Sequence, residues 1–204
     1  MTTRLELRTA VRRRLEDTGA TPLWDDGTLN DFLAEAVRRY GTRVPAERTA
    51  AVAVSGGATS VPVTPALQAT QVIRVLDPDG DVVPRLARTM SDGIGAPGQA
   101  WRWWGGTLRL AATPVAGNWT VEYLDGRSLP ADDVTAVEIV SGDEEIVILM
   151  AAAMALRRRA VEDAKRGLSR GGDAVTVAAD RFYAEAERRL AARLRRARGG
   201  FVEQ

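Results

Sequence analysis

The chain has 204 residues, 45% of them apolar and 27% charged, with a formal net charge of +1. These are ordinary globular values, sufficient for a hydrophobic core in one domain or two small ones. They exclude a global electrostatic pull toward nucleic acid or membrane, so any charged partner must be met by a local patch. The chain contains neither histidine nor cysteine. That removes Ser-His-Asp and Cys-His nucleophiles, disulfides, and zinc sites built on imidazole or thiolate. Carboxylates, tyrosines, hydroxyls and the single lysine, Lys165, are what remains for catalysis, and the expectation is a protein that is not an enzyme and carries no cofactor or metal.

Residues 1–15 alternate charged and apolar side chains and lack the apolar centre of a secretory signal. The longest apolar run, Ile146 to Leu156, is about half the length a bilayer span requires. A soluble protein with no membrane partner is expected.

In chain order, Leu7, Val11 and Leu15 fall at i, i+4 and i+8 and predict a helix from Thr3 to Asp17, ended by Gly19 and Pro22. Asp25 is placed to cap a second helix, with Asp26 in its first turn, where the helix dipole favours a carboxylate. Leu29, Phe32, Leu33, Ala36, Val37 and Tyr40 follow at offsets 0, 3, 4, 7, 8 and 11, and Gly41 and Pro45 are expected to close the helix. The two helices are expected to form an antiparallel hairpin.

From Arg48 to about Tyr123 the 3.6-residue period disappears, and Val, Thr, Trp and turn residues take over. Ala51–Val54 with Ser60–Val63 around a Ser-Gly-Gly turn, Val72–Leu76 with Val82–Pro84 around Asp77–Gly80, and Trp101–Trp104 with Thr107–Leu110 around Gly105-Gly106 each read as a hairpin. Trp119, Val121 and Tyr123 share one face of a further strand. Ser91 to Gly98 reads as a mobile loop. Helix returns from Asp143 to about Lys165, opened by acids and apolar on every side around Met150, a pattern that needs more than one covering neighbour. Gly171-Gly172 is expected to break the chain, and Asp173 to cap a last helix with Ala178, Phe182, Ala186, Leu190 and Leu194 as its stripe.

The fold class is therefore α+β: a four-helix bundle of two N-terminal and two C-terminal helices with an inserted small antiparallel β-sheet or barrel. The expected division is 1–46 for the N-terminal helical hairpin, 47–133 for the β-rich insert, and 134–204 for the C-terminal helices and a docking tail that complete the bundle.

Three sets of residues invite a functional reading. Trp101, Trp103 and Trp104 could stack bases or sugars with the intervening arginine, but a small sheet needs bulky residues for its core, and core or subunit contact is the simpler role. The arginines from Arg188 to Arg198 could grip phosphates, line a solvated helix face, or dock on acidic protein. The acid pairs Asp25-Asp26 and Asp132-Asp133 and the triplet Asp143-Glu144-Glu145 could hold Mg²⁺ or act as acid and base, yet all stand at helix starts or turns, where capping accounts for them. The glycine pairs fit neither a phosphate-binding loop nor a dinucleotide fingerprint.

Leu23-Trp24-Asp25-Asp26-Gly27-Thr28-Leu29 before an amphipathic helix, Trp103 to Pro114 running Trp-Trp-Gly-Gly-Thr-Leu-Arg-Leu-Ala-Ala-Thr-Pro, and the strand Trp119 to Leu124 together resemble the head–tail connector (adaptor) proteins of tailed bacteriophages. That family shows a W-[ST]-D-x-x-L helix start, a g-x-L-x-L-x-P-x-P hairpin, a tyrosine-bearing strand and then an acid-led, Ala-rich helix. Here Asp25 replaces Ser or Thr after the tryptophan, and one proline of the hairpin is missing. The resemblance spans about residues 4–160 and implies a virion structural protein of the neck, assembled in the host cytoplasm as a homo-oligomeric ring, about a 12-mer, beneath the portal. Its implied partners are other copies of itself, the portal protein and a stopper or tail protein, with DNA only as passing cargo.

On that reading Arg193, Arg195, Arg196, Arg198 and Phe201 are candidates for portal docking. Deleting residues 190–204 is expected to abolish portal binding while leaving a folded protein. Trp101, Trp103 and Trp104 are candidates for the β core or the next ring down, and Ile146, Leu149, Met150 and Met154 for contacts between subunits. The alternatives are a nucleic-acid-binding module using the Trp-Arg strand and the Arg-rich helix, a neighbouring tail-completion or tail-tube protein, and, more remotely, a carboxylate-based hydrolase.

Overall fold

The structure is a computed structural model that describes residues 2–86, 100–111 and 114–199, without the side chains of 169–172 and 196–199. The Ser91–Gly98 stretch lies outside the described residues. Four helices and seven strands follow in the order α1 (Arg4–Arg14), α2 (Asp26–Arg43), β1 (Ala46–Val54), β2 (Ser60–Pro62), β3 (Val72–Leu76), β4 (Val82–Val83), β5 (Ala100–Trp104), β6 (Thr107–Ala111), β7 (Gly117–Asp125), α3 (Glu144–Lys165) and α4 (Ser169–Gly199). The chain divides into two compact units, one of residues 1–44 with 126–204 and one of 45–125.

In the helical unit α1 begins at a capping box, in which Thr3 accepts from the Glu6 amide and the Glu6 carboxylate accepts from the Thr3 amide. Leu7 and Val11 are fully buried and Leu15 sits at the C-terminal cap, so the stripe at i, i+4 and i+8 is the inner face. Asp25 caps α2 by accepting from the Thr28 amide at 2.8 Å. Five members of the α2 stripe are buried, and Phe32 packs partly buried beside them. Gly41 does not close this helix but lies within it, because a Cβ there would meet the Arg127 backbone nitrogen at 2.8 Å. The glycine admits the chain that returns after β7.

Helix α3 is the centre of this unit, and α1, α2 and α4 all pack on it. Leu129, Val137 and Ile139 of the returning segment add to the same core. Gly167, at φ +76°, ends α3. The Gly167 amide donates to the Ala164 carbonyl and the Leu168 amide to the Asp163 carbonyl, so two of the last free carbonyls of the helix are satisfied. The break therefore falls before α4, and Gly171-Gly172 and Asp173 lie inside its first turns rather than ahead of them. Ala179, Ala186 and Leu190 are buried from α4, with Phe182 and Leu194 partly buried.

The β unit holds two antiparallel sheets, ordered β1-β7-β3-β4 and β2-β6-β5, and among the described residues no barrel closes. Two of the three expected hairpins form, β3 with β4 and β5 with β6. The first does not. Residues 46–54 pair instead with 117–125 along their full length, and β2 pairs with β6. A Ser-Gly-Gly turn allows either outcome; the nine-residue partner with Trp119, Val121 and Tyr123 turned inward offers more buried area than three residues of β2 can. The core of this unit gathers Trp101, Trp119, Val75, Leu108 and Val121 with smaller aliphatics.

Candidate assembly surfaces

Asp143 stands at the start of α3 but makes no capping hydrogen bond. Its Oδ2 instead accepts from the Tyr40 hydroxyl of α2 at 2.7 Å and from Nε of Arg193 on α4 at 2.6 Å, with the carboxylate buried. The Arg127 guanidinium lies over the Tyr40 ring at 5.6 Å. Burial first, and then the hydrogen bond to a carboxylate, push the Tyr40 phenol up to about 12. The cluster ties three helices together: Asp143 makes no side-chain cap, against expectation, and Arg193, one of the docking candidates, is engaged with it.

A second network fastens α1. Arg4, Arg8 and Arg12 occupy one helix edge at i, i+4 and i+8. Arg8, itself buried, holds Asp133 at 2.9 Å and Asp26 at 3.3 Å. Arg4 reaches Asp133 at 2.6 Å, and Arg12 reaches Asp17 at 2.9 Å and Asp26 at 2.7 Å. The hydrogen bonds from Arg8, then Arg4, hold the Asp133 carboxyl below the ordinary aspartate range. Asp132 closes its own turn by accepting from the Val134 and Thr135 amides. Asp25 and Asp132 are thus caps, as expected, while Asp26 and Asp133 are ion-pair partners. The repeat of arginine every fourth residue in α1 was the available signal for that network, but its partners at 17, 26 and 133 leave no local trace.

These assignments bear on catalysis. Among the described residues no three of His, Cys, Asp or Glu are grouped to hold a metal ion. An open cleft brings Glu16 and Glu145 together beside Arg13, but Arg14 is paired with Glu145. No helix among the described residues is long and apolar enough to cross a membrane.

The candidate contact residues separate sharply. Ile146, Leu149 and Met150 are buried in the chain's own core, Met150 to 1% exposure, and Met154 is partly buried against it. The all-round apolarity of α3 is met within the chain by three helices and the returning segment. Leu190 is likewise buried and Arg193 is paired with Asp143, so a deletion from 190 removes both contacts. Arg195 is exposed, and among the described residues no ion pair engages it. The side chains of Arg196 and Arg198, and Phe201 altogether, lie outside the described residues.

The tryptophans also divide. Trp101 is 1% exposed; its indole donates to the Val83 carbonyl at 2.9 Å, and Arg85 lies 5.0 Å over the ring. Trp103 is partly buried against the β core. Trp104, at the tip of the β5–β6 hairpin, is 63% exposed. Trp24, in the motif before α2, is buried and meets Phe32 edge-on with ring centroids 6.0 Å apart. The motif is thereby explained: tryptophan anchors the approach, aspartate caps, and Leu29 enters the core.

The helical core is closed, its polar clusters are ion-paired, and exposed side chains are left at the edges. A family model described as SU10 adaptor protein matches residues 2–203, and the chain belongs to that family. It is a phage adaptor protein, a virion component, in agreement with the resemblance carried by its motifs. No match is found among curated proteins.

Proposed function

We propose that copies of this chain assemble into a ring, most simply of twelve, beneath the portal, and link the capsid to the tail. The observation that supports this best is the match to an adaptor family along essentially the whole chain, residues 2–203. In this reading the helical unit meets the portal through the end of α4. Arg195 and the segment through Arg196, Arg198 and Phe201 are the docking residues. The β-rich part serves contacts with neighbouring copies and with a stopper or tail protein. DNA crosses the ring as cargo.

The test is a chain that ends at Leu194, which keeps Leu190 and Arg193 in place. Its thermal unfolding should match that of the full chain, and its capture by immobilised portal protein should be lost. Undiminished capture would contradict docking by this end.

A further inference from the structure

The outer face of the three-stranded sheet is marked by what it lacks. Strands β2, β5 and β6 contain no carboxylate. Alternation turns Val61, Leu108, Leu110 and Trp101 inward, leaving Ser60, Pro62, Arg102, Trp104, Thr107 and Arg109 on the other side. Arg102 stands directly opposite Arg109, and Ser60 opposite Arg109 on the other flank. Like charges opposed across a strand pair are unfavourable. Arg109 is exposed, and among the described residues no ion pair relieves it. One residue along the same face, Trp104 presents a mostly exposed indole.

The β3–β4 turn has the opposite character. Asp77, Asp79 and Asp81 lie within five residues. Asp77 is committed to the turn, where its Oδ1 accepts from the amides of Asp79 at 3.0 Å and Asp81 at 2.9 Å. Asp79 and Asp81 are exposed, and among the described residues neither carboxylate has an ion pair. The next residue, Val82, is 59% exposed. Each patch therefore combines one exposed apolar side chain with charge of a single sign, and the two signs are opposite.

We infer that the acidic β3–β4 turn of one copy docks on the Trp104–Arg109 sheet face of the next. This inference rests on the ring reading above and names the contact between neighbours. The two patches differ, so the contact is heterologous and propagates from copy to copy until a rotation closes it. It sets Asp79 and Asp81 against Arg109 and lays Val82 against the indole of Trp104, an aromatic and arginine anchor of the kind that dominates interface energetics.

The chain contains no cysteine, so single-cysteine variants report the contact without background. Asp79→Cys and Ser60→Cys proteins are oxidised separately and mixed, both in concentrated solution and in assembled particles. A mixed disulfide dimer should form only in the mixture, and a chain carrying both substitutions should give a ladder of oligomers. Adding Arg109→Glu to the Ser60→Cys copy should lower the mixed dimer about tenfold, since like charges then face each other. Adding Asp81→Arg to the other copy should restore it.

Absence of the mixed dimer in both settings, or equal dimers from either variant alone, overturns the contact. So does binding of labelled single-stranded DNA that Arg109→Glu abolishes, which would assign the face to nucleic acid. Portal capture read on the same proteins separates the two levels. A chain that is captured but does not cross-link loses this contact alone, whereas a chain that cross-links but is not captured loses the portal reading.

Discussion

The helical unit and the β unit use the same kinds of residue to different ends. In the helical unit almost every charged side chain near the core is spent: Arg8 on Asp133 and Asp26, Arg12 on Asp17 and Asp26, Arg193 on Asp143 with Tyr40. In the β unit Arg109, Asp79 and Asp81 stand exposed without an ion pair among the described residues, and Trp104 is left in solvent on the Arg109 face. The lesson concerns where an assembling protein keeps its sticky surface. Uninterrupted apolarity is here buried by the chain itself, whereas on the proposed contact unspent charge next to an exposed aromatic is what one copy offers to the next.

The contrast breaks most visibly at Leu149. If α3 is core, Leu149→Ala should destabilise the isolated chain by about 3 kcal/mol, through lost burial and a residual cavity; a thermal or denaturant melt reads this directly. An interface residue would instead leave the melt unchanged and impair assembly.

Next in size is Asp143→Ala, which strands the Tyr40 hydroxyl and the Arg193 guanidinium in a mostly buried site and should cost about 2 kcal/mol by denaturant titration. Portal capture per folded molecule should stay unchanged.

A smaller effect belongs to Tyr40→Phe, about 1 kcal/mol at neutral pH for one hydrogen bond. Its pH dependence is more telling. The Tyr40 phenol titrates near 12 in the folded chain and near 10 when unfolded, so the neutral form is favoured by folding. The associated stability is complete below pH 10 and is lost as pH rises toward 12. The wild type should show this alkaline loss in melts taken across that window, and the Phe variant should lack it. Smallest of all, Trp104→Ala should shift the melt by less than about 0.5 kcal/mol, since the ring covers little of its own chain.

Much of this fold was legible in the residues. Helix α2 carried both a six-member period and its cap at Asp25, and β7 declared its inner face through Trp119, Val121 and Tyr123, because in each case the determining contacts are local or strictly periodic. The pairing of β1 with β7 was not legible, since the register joins Ala46 to Asp125 and Val54 to Gly117 across a long intervening stretch. Residues 126–140 carry no period at all, yet Leu129, Val137 and Ile139 complete the helical core and Arg127 closes against Gly41. Asp143 shows the limit most clearly: an acid before a helix reads as a cap, and its true partners lie 103 and 50 positions away. The apolar sides of α3 were visible, but a pattern fixes only that a helix is covered. It does not say by whom.

That question has a direct measurement in amide hydrogen exchange along residues 146–155, compared between the free chain and assembled particles. Protection already present in the free chain and unchanged on assembly is the result predicted for a helix enclosed by its own copy. Rapid exchange in the free chain, slowed only in the particle, would contradict it and return α3 to the subunit interface.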